Sequence, residues 1–435
     1  MRLRKPVVVI IGRPNVGKSS LFNRIIGKRK AIVDDIPGVT RDRNFDEAQW
    51  KGRHFILVDT GGYLPQGSDK MEVLVKEQVE VATEEADMLL LLVDASAGVL
   101  GLDLEIANVV RKSEKKKLLV VNKVDTEHQE VQVPQFYRLG VGDPVPVSAT
   151  TGRNIRELLE LIVQQLPPHD KREQRQEVLK IAVVGRPNVG KSSFVNTLLG
   201  EERLIVDEQP GTTRDSTDTI FSHSGRRVVL IDTAGLRRRS KVRDRIEFYC
   251  TLRTIQSLQR CNVAILLIDA TDGLTSQDIN ILQQAIRFGK GVVLAVNKWD
   301  LVEKDLNTAE QVTQYIRRKI ASLSYIPILF TSALTRHRIH KSIDLAFEVY
   351  HNWNRRISTS QLNRFLQELR KTGLLQHRDF KLLYATQNSI QPPGFLFFTN
   401  RPDLIKQNYR RYLENRLRKE FNFTGTPIRL SFRQK

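Results

Sequence analysis

Short apolar runs alternate with mixed polar and apolar segments along most of the chain. Runs such as PVVVIIG, MLLLLVDA and VAILLIDA are too short to cross a bilayer and have the length of buried strands. The segment SLFNRIIG, which follows the first run and a glycine-rich turn, has the spacing of a helix. Alternating strands and helices predict an α/β fold with mostly parallel sheets. We expect the basic and apolar start, MRLRKPVVVIIG, to be a first strand and not a secretory signal.

One stretch of the chain occurs twice. The nine residues GRPNVGKSS occupy positions 12–20 and again 185–193, each between a predicted strand and a predicted helix. This is the G-x-x-x-x-G-K-[ST] motif in the context that it requires. Its glycines let main-chain N–H groups approach phosphates, its lysine reaches the β- and γ-phosphates, and its serine offers a hydroxyl to Mg²⁺. We therefore expect two nucleotide sites on one chain.

The segments after each copy indicate guanine as the base. FILVDTGG and VVLIDTAG place Asp59 and Asp232 at the ends of apolar runs, where a carboxylate suits a contact with Mg²⁺. LLVVNKVD and VLAVNKWD place Asp125 and Asp300 at the ends of later runs. Such a carboxylate accepts two hydrogen bonds from the guanine N1–H and N2 amine, a donor pair that adenine lacks. VPVSA and ILFTSA complete each set with a main-chain contact to the base.

The predicted GTP-binding residues fall into four equivalent segments in each half. In the first half they are Gly12, Arg13, Pro14, Asn15, Val16, Gly17, Lys18, Ser19, Asp59, Thr60, Gly61, Gly62, Tyr63, Asn122, Lys123, Val124, Asp125, Ser148 and Ala149. In the second half they are Gly185, Arg186, Pro187, Asn188, Val189, Gly190, Lys191, Ser192, Asp232, Thr233, Ala234, Gly235, Leu236, Asn297, Lys298, Trp299, Asp300, Ser332 and Ala333. The predicted Mg²⁺ ligands among them are Ser19, Asp59, Ser192 and Asp232, and the predicted catalytic lysines are Lys18 and Lys191.

The net charge of +20 is unevenly distributed along the 435 residues. Residues 354–435 contain 17 Lys and Arg against 5 Asp and Glu, an excess of 12. This segment is a candidate contact for nucleic acid or another polyanion, or else a solvated basic face without a partner. We predict a first G domain at 1–166, a linker with paired prolines at 167–178, a second G domain at 179–353 and a small basic domain at 354–435.

Two G domains followed by a small basic domain resemble the EngA (Der) GTPases, which assist assembly of the large ribosomal subunit in bacteria. The resemblance covers essentially the whole chain and includes IVDDIPGVTRDR, IVDEQPGTTRD, LRRRSKV and the tail segment YATQNSIQPPGFLFF. It implies that Thr40 and Thr213 are catalytic switch threonines that reach Mg²⁺ when GTP is bound. It also implies a cytoplasmic monomer that hydrolyses GTP and docks on 50S rRNA under nucleotide control, without a membrane partner.

The position after each DxxG motif lacks the glutamine that orients the attacking water in many GTPases. Tyr63 occupies it in the first domain and Leu236 in the second, and neither side chain replaces an amide. The family resemblance implies a K⁺ ion beside the phosphates, held partly by Asn15 and Asn188. This ion would supply the electrostatic part of an arginine finger. The alternative for both asparagines is loop geometry alone.

The C-terminal segment is predicted as helix 359–371, strands 381–387 and 395–400, helix 403–421 and strand 427–432. This α-β-β-α-β order resembles the KH-like domain of the same family. The segment has no GXXG loop, with which KH modules clamp single-stranded RNA. We therefore expect its basic surface to contact rRNA, or one of its faces to pack on a G domain.

Two other functions stay open from the sequence. A GTPase that modifies RNA or protein would use the same G domains, and a non-catalytic GTP-binding scaffold would fit the missing glutamines. The two cysteines, Cys250 and Cys261, lack metal-ligand spacing, and we expect reduced thiols in a cytosolic protein. Two residues depart from the family pattern, and each replaces a common glycine. Arg336 puts the local turn of the base-contact loop in question, and Ser240 puts the rearrangement of the second switch in question.

Overall fold

The computed structural model describes most of the chain. The described residues are 5–27, 45–61, 71–166, 178–201, 203–204, 218–233, 247–303, 305, 307–371 and 380–434. Of the predicted linker, only Val178 lies among them, so the domain boundaries stay a prediction. A search of the described helices found none with the length and apolar character that a membrane crossing needs.

The first sheet contains six strands of the described chain. They are β1 (Val7–Ile11), β2 (Phe45–Trp50), β3 (Arg53–Asp59), β4 (Met88–Asp94), β5 (Lys116–Asn122) and β6 (Pro144–Pro146). The strand order is β2-β3-β1-β4-β5-β6, and only the β2–β3 pair is antiparallel. The helices are α1 (Lys18–Gly27), α2 (Met71–Glu85), α3 (Gly101–Lys112) and α4 (Ile155–Gln165), with a 3₁₀ helix at Glu127–Leu139. Alternate residues of β1 enter two apolar cores because helices cover both faces of the sheet.

The second sheet repeats this plan with one added edge strand. Its described strands are β7 (Leu179–Val184), β8 (Arg203–Leu204), β9 (Thr219–His223), β10 (Arg226–Leu230), β11 (Val263–Asp269), β12 (Gly291–Asn297) and β13 (Ile328–Phe330). The order β13-β12-β11-β7-β10-β9 is that of the first sheet, and β8 pairs with the antiparallel strand β9. The helices are α5 (Lys191–Glu201), α6 (Glu247–Arg260), α7 (Ser276–Arg287), α8 (Thr308–Lys319) and α9 (Ile339–Asn354), with 3₁₀ helices at Trp299–Leu301 and Ala321–Leu323.

The third unit has the predicted α-β-β-α-β order. Its elements are α10 (Thr359–Lys371), β14 (Leu382–Ser389), β15 (Gly394–Thr399), α11 (Gln407–Phe421) and β16 (Arg429–Gln434). Strand β15 lies between its antiparallel partner β14 and its parallel partner β16. The predicted start of the second helix at 403 was wrong. A 3₁₀ turn at Pro402–Leu404 ends at Ile405, whose ψ of 93° interrupts the helical conformation, so α11 begins at Gln407.

The two G domains pack against each other through helices α2 and α6. Leu252 and Ile255 of α6 are fully buried within the apolar core of the first domain. The side-chain amide of Gln256 donates a hydrogen bond to the main-chain carbonyl of Glu85, at the end of α2. The first domain therefore completes its core with residues that come from the second.

The third unit packs on the second G domain at Gly425. The Val292 N–H donates to the Gly425 carbonyl at 2.7 Å, and the Gly425 N–H donates to the Tyr325 carbonyl at 2.8 Å. The backbone of Gly425 is left-handed, with φ of 70°, and a Cβ there would lie 2.3 Å from Val349 Cγ2. Only glycine fits this contact. The guanidinium of Arg418 lies over the Tyr325 ring, 3.5 Å from its centroid. Packing on a G domain, one of the two roles expected of this unit, is thus observed.

Candidate nucleotide-binding sites

The two predicted P-loops lie in equivalent places, one between β1 and α1 and the other between β7 and α5. The Nζ of Lys18 donates to the two carbonyls at the start of its loop at 2.9 and 2.8 Å, and the Nζ of Lys191 does the same at 2.9 and 2.7 Å. Burial lowers the pKa of Lys18 to about 8, because the charged ammonium loses contact with water. Each motif lysine therefore lies inside its loop, and its contact with the phosphates stays a prediction.

An asparagine from the base-recognition segment connects each P-loop to the rest of its site. Asn122 ends β5, and its Nδ2 donates to the Val16 carbonyl at 2.8 Å while its Oδ1 accepts from the Ala149 N–H at 3.0 Å. Asn297 makes the same two contacts in the second domain, at 2.9 and 3.1 Å. The approach is close at Gly17, whose φ is 94° and where a Cβ would lie 2.3 Å from Asn122 Nδ2. Phosphate loop, base segment and final loop thus form one unit in each domain.

The segments that are predicted to read guanine lie at the carboxyl ends of neighbouring parallel strands, where α/β sheets bind ligands. The Ser148 hydroxyl donates to Oδ1 of Asp125 at 2.5 Å and so fixes the carboxylate that is predicted to read guanine. The Nζ atoms of Lys123 and Lys298 each lie 2.6 Å from the aspartate that ends the preceding strand, β4 or β11. These contacts place the predicted base residues at one edge of each sheet.

A buried aspartate pairs with the arginine of each P-loop, and the sequence motifs did not predict this contact. The Nε of Arg13 lies 3.4 Å from Oδ2 of Asp103, which is fully buried and also accepts the Leu100 N–H at the start of α3. The Nε of Arg186 lies 3.6 Å from Oδ2 of Asp278, which caps α7 in the same way. Burial raises the pKa of Asp103. The two aspartates are 175 positions apart (278 − 103), and this recurrence was the available sequence signal.

The predicted magnesium aspartates differ between the two sites. In the first, the Ser19 hydroxyl donates to Oδ2 of Asp59 at 2.5 Å, and the Gly61 N–H donates to Oδ1 at 2.8 Å. Adjacent hydroxyl and carboxylate oxygens are a donor set that fits Mg²⁺. In the second, Asp232 has a left-handed backbone, with φ of 60°, and its Oδ1 lies 3.5 Å from Nη2 of Arg253. The aspartate of the DxxG motif therefore contacts the P-loop serine in the first domain and an arginine of α6 in the second.

Comparison with known proteins identifies the family. Residues 7–123 and 180–298 match the family model described as 50S ribosome-binding GTPase. Residues 356–433 match the KH-domain-like model of EngA bacterial GTPase enzymes, C-terminal. The chain belongs to the Der (EngA) family of GTPases. Membership confirms the predicted tandem G domains, the KH-like domain and GTP hydrolysis as the activity.

Relatives named GTPase Der are similar to this Der-family chain along their whole length. The protein of Chloroherpeton thalassium is 49% identical over 436 residues, which cover 99% of this chain and 100% of that protein. That of Caldanaerobacter subterraneus subsp. tengcongensis is 48% identical over 437 residues, covering 100% and 99%. That of Pelotomaculum thermopropionicum is 50% identical over 434 residues, covering 99% of each.

Part of the predicted site of this Der-family chain lies outside the described residues. The residues concerned are Thr40, Gly62, Tyr63, Thr213, Ala234, Gly235 and Leu236. Ser240, the departure from the family pattern noted in the sequence, lies outside them as well. Asn15 and Asn188, the predicted K⁺ ligands, have exposed side chains and left-handed backbones, with φ of 65° and 64°. Asparagine adopts this conformation more readily than most residues, which agrees with the loop-geometry alternative as well. K⁺ binding stays a prediction.

The turn at Arg336 keeps the geometry of its glycine-containing counterpart. Gly152 has φ of 90° and Arg336 has φ of 62°, so both are left-handed. The Ser148 N–H donates to the Arg153 carbonyl at 3.1 Å, and the Ser332 N–H donates to the His337 carbonyl at 3.2 Å. The arginine accepts a backbone strain on the order of 1 kcal/mol, and the base-contact loop keeps its form.

Proposed function

We propose that this Der-family chain hydrolyses GTP at two sites and uses the bound nucleotide to control its docking on the large ribosomal subunit during assembly. The observation that carries the proposal is the repeated connection of P-loop to base segment through Asn122 and Asn297. The same connection in both domains supports two working sites. The 50S ribosome-binding GTPase model that matches both G domains supports the choice of target.

Each site would bind GTP through groups that already converge. Lys18 and Lys191 would exchange their loop carbonyls for the β- and γ-phosphates, beside the N–H groups at the start of α1 and α5. Asp125 and Asp300 would accept hydrogen bonds from guanine. In this proposal the tied loops hold the nucleotide in one orientation, so that the γ-phosphate meets the attacking water.

Magnesium and potassium complete the proposed sites. Ser19 and Asp59, with Thr40, would hold Mg²⁺ in the first domain. Ser192, Asp232 and Thr213 would do so in the second. When bound, Mg²⁺ neutralises phosphate charge during hydrolysis. We include K⁺ beside Asn15 and Asn188 because both domains lack the water-orienting glutamine.

The KH-like unit is the proposed rRNA contact. On α11 the side chains of Arg411 and Lys419 are exposed, whereas Arg418 donates to the carbonyls of Phe423 and Thr426 at 3.0 and 2.8 Å. We therefore assign RNA contact to the exposed cations of this helix and packing to Arg418. We also propose that the protein acts as a monomer and that its domains begin and end at the predicted boundaries.

Two measurements test the proposal. GTP turnover in K⁺ and in Na⁺, with Lys18→Ala and Lys191→Ala variants, should show two contributing sites and a lower rate in Na⁺. Sedimentation with isolated 50S subunits should show strong binding with a GTP analogue and weak binding with GDP. Equal binding in both nucleotide states would refute the switch. Equal rates in both salts would remove K⁺ from the site.

A further inference from the structure

Helix α6 faces the second DxxG aspartate with three polar side chains, two of which contact it. Besides Arg253, the Ser257 hydroxyl donates a hydrogen bond to Asp232, and the positive charge of Arg260 lies close to it. Positions 253, 257 and 260 follow one face of a helix. Arg260 is itself held by Asp218, 2.5 Å away, whose carboxylate also accepts the Asp232 N–H at 2.9 Å.

Helix α2 of the first domain does not carry these residues at the matching positions. Strands β4 and β11 begin at Met88 and Val263, so positions just before them correspond at a separation of 175 residues (263 − 88). The counterparts of the three α6 residues are therefore Gln78, Ala82 and Glu85. None of these is a cation, and the first-domain aspartate contacts its P-loop serine instead. The difference in carboxylate placement thus follows a difference in sequence.

The Arg253 side chain also reaches the first domain. Its Nε lies 3.5 Å from Oε1 of Glu85 at the end of α2, while its Nη2 lies 3.5 Å from Oδ1 of Asp232. Glu85 and Asp232 are both largely buried, with side-chain exposures of 15% and 20%. Two carboxylates so close to one guanidinium share its charge and repel each other. Neutralising Glu85 therefore leaves Arg253 a stronger partner for Asp232.

We propose that Arg253 and Ser257 are positioning residues that hold Asp232 on helix α6, so that it must leave this helix to join Ser192 at Mg²⁺, and that Glu85 of the first domain weakens the hold. The inference rests on the proposed magnesium site of the second domain. It makes the magnesium requirement of that site depend on a residue of the neighbouring domain. The first site, whose helix α2 has no cation at the three matching positions, escapes this control.

The test is the Mg²⁺ dependence of GDP affinity at the second site. The full chain carries Lys18→Ala so that a fluorescent GDP analogue reports the second site alone. Arg253→Gln should lower the Mg²⁺ concentration at which the increase in GDP affinity is half-maximal. The expected change is about two- to fivefold, the size expected of a partly exposed ion pair. Ser257→Ala should shift it in the same direction, and Glu85→Gln in the opposite one.

A matched control is Arg287→Gln. Arg287 pairs with Asp46 across the same domain interface, and no contact with Asp232 is part of that pairing. It should leave the Mg²⁺ dependence of the second site at the parent value. In a Lys191→Ala background, Arg253→Gln should also leave the first site unchanged. Melting curves of all variants separate these effects from loss of fold.

The outcomes are distinguishable. If the second site of the parent responds to Mg²⁺ and Arg253→Gln behaves like Arg287→Gln, the proposal that α6 holds Asp232 is refuted. A Glu85→Gln variant that needs less Mg²⁺ would overturn the part assigned to the first domain. A parent whose GDP affinity ignores Mg²⁺ would overturn the magnesium site itself, and the inference with it.

Discussion

Replacing Asn122 by alanine should separate the P-loop from the base segment of the first site. The variant loses the donor to the Val16 carbonyl and the acceptor of the Ala149 N–H, both buried contacts of 2.8 and 3.0 Å. A buried group left without its partner costs about 1–3 kcal/mol, so the two losses together cost about 2–6 kcal/mol. In the proposed site GDP binds the connected arrangement, so we expect its affinity for the first site to fall tenfold or more, on the order of 1.4 kcal/mol at least.

Calorimetric titration of GDP in a Lys191→Ala background measures this loss at the first site alone. Hydrogen exchange reports the same contact directly, because the Ala149 amide should exchange faster once its acceptor is gone. Asn108→Ala, a change at an exposed asparagine on α3, is the control and should alter neither quantity. If Asn122→Ala keeps both the GDP affinity and the Ala149 protection of the parent, the reasoning from these two contacts fails.

Three further outcomes follow from single side chains. Asp125→Asn should weaken GTP at the first site by about 1.5–3 kcal/mol and favour xanthosine triphosphate, as competition binding would show; unchanged preference contradicts the guanine assignment. Burial raises the pKa of the Cys261 thiol to about 11, so in a Cys250→Ala chain it should resist maleimide at pH 8 until urea unfolds the second domain. Arg418→Ala should cost about 1–3 kcal/mol through its two carbonyl contacts, seen as a lower melting temperature, whereas exposed Arg411→Ala should not.

The positions of the P-loops and base segments in the fold were predictable because their determinants are local. The P-loop requires glycines, a lysine and a serine at fixed spacing between a strand and a helix, and Lys18 lies where that spacing places it. Asn122 and Asp125 end an apolar run, and parallel strands bring such ends to one edge of the sheet. The sequence predicted mostly parallel sheets but not the order of their strands. It also did not predict that the β2–β3 and β9–β10 pairs are antiparallel.

Contacts between distant segments were not predictable in this way. Lys290 stands in the polar-looking segment FGKGV, yet it is buried and donates to the carbonyls of Gln259 and Cys261 at 2.9 and 2.7 Å. Its partners lie about thirty positions earlier and become neighbours only when β11 and β12 pair. The hold of α6 on Asp232 is of the same kind. Such contacts depend on three-dimensional packing, which periodicity along the chain does not encode.

The core shared by α2 and α6 also sets an order of events during synthesis. The last helix of the first G domain, α4, ends at Gln165, and Leu252 follows 87 residues later (252 − 165). At about 5–20 residues per second, a ribosome needs roughly 4–17 s to add them. For that interval the nascent first domain lacks two of its apolar core residues, and the matching face of α2 is open to water. The first domain thus reaches its full stability only after most of α6 has emerged.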